Sequence, residues 1–133
     1  MEQTRSFLRE KSMTILYQIF LYEKEGIKYD QKEVIREVME IESDFVNNIV
    51  LNVLEKRKEL SKVANSYLKS WTVDRLGKTD EAIILMGIYE LLYTDTPDVV
   101  CINESIELSK KYSDDKVRKM INSVMDKVLK SKE

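Results

Sequence analysis

Apolar residues recur every three or four positions along almost the whole chain, and no stretch sustains the two-residue alternation of a strand. The first stripe (Leu8, Ile15, Leu16, Ile19, Tyr22) predicts a helix over about residues 3–24, closed by Gly26. Val34, Ile35, Val38 and Met39 predict a second helix, opened by Asp30 with Glu33 as its capping-box partner. Ser43 begins a longer one, with Phe45, Val46, Ile49, Val50, Val53 and Leu54 turned inward and the KRKEL segment following on its exposed side. Short helical segments are predicted near residues 61–70 and 73–76, with Trp71 between them.

Residues 82–93 are apolar nearly all round, the pattern of a central helix wrapped by others. Thr79 is the expected cap, and Asp80 and Glu81 in the first turn suit the positive end of the helix dipole. Gly87 in mid-helix costs ~1 kcal/mol relative to alanine, which predicts another helix crossing closely there. Pro97 and Asp98 lead into a helix to about residue 112 carrying Ile102, Ile106 and Leu108. Ser113 is the expected cap of the last helix, where Val117, Met120, Ile121, Val124, Met125, Val128 and Leu129 form the clearest stripe in the chain. The fold class is all-α.

A chain of 133 residues suits one domain, and at that size folding buries roughly 68–70% of the unfolded surface, enough for a core without metal or disulfides. Its single cysteine, Cys101, has no internal partner, which points to a reducing compartment. The longest apolar run, AIILMGIYELLY, is interrupted by Glu90 and falls short of the ~20 residues that span a bilayer. The opening MEQTRSFLREK does not read as an export signal. The expectation is a cytoplasmic protein with no membrane association.

Much chemistry is excluded by composition. There is no histidine, the commonest general acid–base and metal ligand. No glycine-rich phosphate loop is present, and one cysteine cannot build a zinc site. No cofactor, metal or catalytic residue is expected. The carboxylate pairs Glu37/Glu40 and Glu104/Glu107 read as solvated helix faces, and Cys101 as a small buried side chain.

Net charge is −2, but it is unevenly spread. Residues 110–133 hold eight basic against four acidic side chains, and residues 74–98 hold six acidic against two basic. Arg5 and Arg9 lie one helical turn apart, and Lys116, Arg118 and Lys119 cluster at the start of the last helix. Basic side chains beside the free N–H groups of a helix start suit phosphate oxygens, although lysines on an exposed face are commonly just solvated. Glu90 inside the apolar helix, with Asn103 and Asn122 amid other apolar positions, reads as structural: buried polar groups are normally satisfied.

From Trp71 onward the chain resembles the NusB family. The ordered set that carries the resemblance is Trp71, Arg75–Leu76, Tyr89–Glu90–Leu91, Pro97, Ile102–Asn103–Glu104, Glu107–Leu108, Lys110, Asn122, Val124 and Asp126. Arg9, Glu10, Leu16 and Tyr17 fit the family's opening helix more loosely, as do Phe45, Val50 and Val53 its third.

The resemblance implies about seven helices in two packed small bundles, divided near residues 1–60 and 61–133. It implies a transcription antitermination factor that binds boxA-type RNA jointly with NusE, a small-subunit ribosomal protein, within an antitermination complex on RNA polymerase. Self-association as a homodimer is compatible with that role. It also implies that RNA meets the N-terminal arginines, here Arg5 and Arg9, and the start of the last helix around Lys116, Arg118 and Lys119. NusE meets the second bundle, where the acidic pair Asp80 and Glu81 is the candidate contact.

Five positions depart from the pattern. Ser6 and Phe7 replace arginines, thinning the N-terminal motif; Met86 replaces an arginine, Met120 a phenylalanine and Ser123 a glycine. The alternative function is therefore a protein–protein module of the same fold with weakened RNA contact. A NusB-like domain also precedes the catalytic domain of some ribosomal RNA methyltransferases, but their cofactor loop and catalytic cysteines have no counterpart here.

Overall fold

The structure, a computed structural model, describes residues 3–133. Seven α-helices follow in order: α1 (Arg5–Glu25), α2 (Gln31–Val38), α3 (Asp44–Glu55), α4 (Arg57–Tyr67), α5 (Lys78–Tyr93), α6 (Asp98–Tyr112) and α7 (Asp115–Ser131). A single 3-10 turn at Val73–Arg75 precedes α5, and no strand occurs among the described residues.

Local sequence sets most boundaries. Gly26 ends α1 in the left-handed conformation (φ 69°), which an L side chain resists. Its N–H donates to the Glu23 carbonyl and that of Ile27 to the Tyr22 carbonyl, closing the last turn as a Schellman motif. Asp30 and Ser43 accept from backbone N–H groups at the starts of α2 and α3.

Three expected caps differ. The Glu33 carboxylate takes Arg36 rather than turning back to Asp30. Helix α5 starts two residues earlier than expected, capped at Gly77, and Thr79 lies inside its first turn. Asp114, not Ser113, caps α7 by accepting from the Val117 N–H, because Ser113 donates its hydroxyl to Asp80 instead. The KRKEL segment does not continue α3. The chain breaks at Lys56 and α4 begins at Arg57, which buries Leu60 completely.

Helix α5 is the axis of the molecule. Every residue from Glu81 to Leu91 is buried, and α5 packs against α1, α3, α4, α6 and α7. Each fully buried isoleucine or leucine there stabilises the fold by roughly 1.5–3 kcal/mol relative to exposure. Gly87 lets α6 and α7 approach: a Cβ at this position would lie 2.5 Å from Ser105 Oγ and 2.9 Å from Met125 Sδ. The close crossing inferred from sequence is present.

Two charged knots tie α1 to α5. At one end Arg9 binds Glu90 through two hydrogen bonds, Nε to Oε1 at 2.7 Å and NH2 to Oε2 at 3.0 Å. At the other, Arg57 lies 4.0 Å over the Phe20 ring, pairs with Glu23 and reaches Glu81 at 3.4 Å. Lys78 completes this knot, 3.0 Å from Glu81.

Candidate nucleic-acid interface

The sequence places five basic residues at a possible phosphate surface, and the fold separates them. Arg5, in the first turn of α1, is exposed and stacks its guanidinium 4.1 Å from the centroid of Phe45 on α3. Arg9 shares that ring at 5.3 Å but is 4% exposed. Both sets of donors on its guanidinium face carboxylates: Glu90 as above, and Glu104 at 3.6 Å. Burial works against its charge, yet the hydrogen bonds and proximity of Glu90 outweigh it and raise the pKa further. Arg9 is therefore a core ion pair and does not present itself to phosphate. The reading of it as a surface contact is corrected by the partner 81 residues away. Glu90 is satisfied by that pair, and Thr96 Oγ1 adds a longer contact at 3.4 Å.

On α7, Lys116 and Lys119 are exposed, whereas Arg118 is half-buried and held by Asp115 at 3.0 Å. Lys116 and Lys119 form one wall of a groove of ≈ 480 Å³ between α7 and the segment leaving α4. Lys127 extends that wall two turns further on, and Met120 and Val124 lie in the groove between them. The facing wall is Tyr67, Lys69 and Trp71. Four lysines thus line this groove and no carboxylate does. A second groove, between α1 and α6, mixes Glu10, Glu104 and Glu107 with Lys110 and Lys111, so its field is largely cancelled. Arg5 lines neither groove.

The sequence does not mark Trp71, Tyr67, Lys69 or Lys127 as site residues. The one signal available was a basic face on α7 at positions 116, 119 and 127, which helical spacing places together. The opposite wall depends on the turn after α4. There Ser70 takes a positive φ of 66°, the one such non-glycine residue among those described, at a cost of order 1–3 kcal/mol. The Val73 N–H donates to Asn65 Oδ1 at 2.7 Å, tying the far side of the turn to α4.

The acidic pair divides as well. Glu81 is 1% exposed, enclosed by Arg57 and Lys78, and offers nothing to a partner. Asp80 is half-buried and accepts from Ser113. Burial pushes its carboxyl above the usual range, partly offset by that hydrogen bond. Neither asparagine bridges helices: Asn103 is exposed, and the buried Oδ1 of Asn122 has no partner among the described residues. Cys101 is buried, its thiol pushed up to about 11 by burial, with Glu90 adding to the effect. No cluster of side chains suited to a metal ion occurs among the described residues, and no helix is long and apolar enough to cross a membrane.

Comparison with known proteins gives a consistent answer. A model of the NusB family matches residues 7–130. The transcription antitermination protein NusB of Macrococcus caseolyticus is 37% identical over 131 residues, covering 97% of this chain and 98% of that protein. Its counterpart in Enterococcus faecalis is 36% identical, covering 97% and 91%. Among solved structures, NusB of T. maritima superposes with a TM-score of 0.84 at 23% identity, over 98% of this chain and 93% of that one. A chain from a complex of antitermination factors NusB and NusE with double-stranded RNA superposes with a TM-score of 0.78 at 23% identity, over 96% of each. At these identities the structures speak to the fold.

Proposed function

The chain belongs to the NusB family, and from that premise we propose that it is a transcription antitermination factor which binds boxA-type RNA together with NusE, acting on RNA polymerase during ribosomal RNA transcription. The observation that carries the RNA part is the groove lined by four lysines and no carboxylate. Phosphate contacts supply sequence-independent affinity and orient the strand. Lys116 and Lys119 stand in the first turns of α7 with exposed side chains. Arg5, anchored on Phe45 and exposed, is the second point of attachment. Arg118 contributes little, since Asp115 already occupies it.

The chain acts as a binding protein in the cytoplasm and not as an enzyme. The sequence has no histidine, and the thiol of Cys101 is buried. For the NusE contact, Asp80 is the acidic candidate that keeps some accessible surface.

The test is the double variant K116A/K119A, assayed with NusE present. The reading requires that boxA-type RNA binding falls sharply while NusE binding is kept. Undiminished RNA binding by the double variant would refute it and favour a purely protein–protein role.

A further inference from the structure

The groove has two unlike walls, and three of its four lysines stand on one. The other carries Trp71, which is 43% exposed although the chain encloses most of its large apolar side chains. It is also the chain's one tryptophan. We propose that this wall is a base-stacking platform: one unpaired RNA base lies on the Trp71 indole while its flanking phosphates are held by Lys69 on the near wall and by Lys116 and Lys119 opposite. The inference rests on the RNA reading above and adds to it the form of RNA the groove takes, a single strand with an unstacked base.

Two observations and one general property of nucleobases support this occupant. A polyanion is favoured because every charged side chain lining the groove is a lysine. A planar aromatic ligand is favoured because the exposed indole sits beside those charges, and an acidic peptide would use the lysines without covering it. Bases stack on aromatic side chains irrespective of sequence, which suits single strands and not duplexes, whose bases are stacked on one another.

The platform is also held in place. Ser70, directly before Trp71, is in the left-handed region at φ 66°, and two residues after Trp71 the Val73 N–H is bound to Asn65 of α4. Left-handed backbone at a residue with a Cβ persists where its surroundings over-determine it. Here it fixes the turn that carries the indole.

Trp71 makes the test direct, because all of this chain's tryptophan emission comes from the site. Single-stranded boxA-type RNA, titrated into the full chain with its NusE partner, should quench and shift that emission. Heparin, a polyanion without bases, and a duplex RNA should leave it nearly unchanged. W71A should weaken single-strand binding by roughly tenfold, and W71F should keep most of the affinity. An RNA series with single abasic positions should contain one member on which wild type falls to the W71A level and W71A loses nothing further. S70G should leave the Tm unchanged or higher and still weaken RNA binding, which a purely structural role for the turn would not produce.

Salt-dependent RNA binding with unchanged emission and equal affinity for W71A would overturn the platform and leave the RNA reading standing. Quenching of equal size by an acidic peptide would assign the groove to a protein instead. Absence of RNA binding even with NusE would overturn both readings.

Discussion

Arg9 of α1 and Glu90 of α5, 81 residues apart in sequence, form a two-pronged ion pair in the core at 2.7 and 3.0 Å. Glu104 of α6 adds a third element at 3.6 Å, and Ser6 donates to that same carboxylate at 2.6 Å. The pair therefore ties the N-terminal helix to the central helix and to α6, close to where Arg5 emerges.

Removing one partner leaves an uncompensated buried charge. Arg9→Met should destabilise by roughly 3–5 kcal/mol, on the order of 10 °C in Tm. The double change R9M/E90L should recover most of that loss, since apolar replacement of a whole buried pair is often neutral or better. Urea and thermal unfolding of the two variants check this. Equal damage in the single and double variants would contradict it.

Gly87→Ala raises intrinsic helix propensity and should nevertheless destabilise, by about 1–3 kcal/mol, because the new methyl meets Ser105 Oγ at 2.5 Å and Met125 Sδ at 2.9 Å. Adding Ser105→Ala removes the nearer obstacle and should restore part of the loss in thermal unfolding.

Two carboxylates should respond to pH with opposite sign. Glu10 is held below its ordinary range by hydrogen bonds from Lys111, at 2.5 Å, and Tyr112. Its contribution is therefore present above its unfolded pKa of ~4.3 and is lost as pH falls through the folded value. Asp80 is raised, chiefly by burial, so its contribution is present below its unfolded pKa of ~3.9 and is lost as pH rises through the folded value. Glu10→Gln should lower the Tm at pH 7 and change little at pH 3. Asp80→Asn should raise the Tm at pH 7 and change little at pH 3. Denaturation at the two pH values reads both.

The basic residues should separate by role. Arg5→Ala, Lys116→Ala and Lys119→Ala should each weaken RNA binding and flatten its salt dependence by about 0.7 of a unit of slope for a single strand. Arg118→Ala should do neither. Charge reversal at Glu81 should act through stability, with a lowered Tm, because its carboxylate neutralises Arg57 and Lys78 in a buried site.

The apolar stripes carried most of the fold. The α5 run, the α7 stripe, the glycine stop at Gly26 and the side-chain caps at Asp30 and Ser43 depend on neighbours within four residues, so the linear sequence contains them. A residue type that can cap does not reveal what else competes for it, as Ser113 shows. Asp80, from another helix, takes the Ser113 hydroxyl.

The site was less legible for the same reason. Arg5 and Arg9 look equivalent at a spacing of four. Depth decides between them: Arg9 is enclosed with Glu90 and Glu104, while Arg5 remains outside on Phe45. Nothing local to Glu81 shows that Arg57, 24 residues earlier, closes over it. The aromatic wall at Trp71 depends on a left-handed serine, which residue propensities argue against.

Partner-dependent RNA binding by this chain is read from a salt titration of boxA-type RNA affinity with and without NusE, against a scrambled RNA of equal length. Binding should weaken with salt, prefer boxA over the scramble, and strengthen when NusE is added. NusE binding with no gain in RNA affinity, or equal affinity for both RNAs, would contradict it.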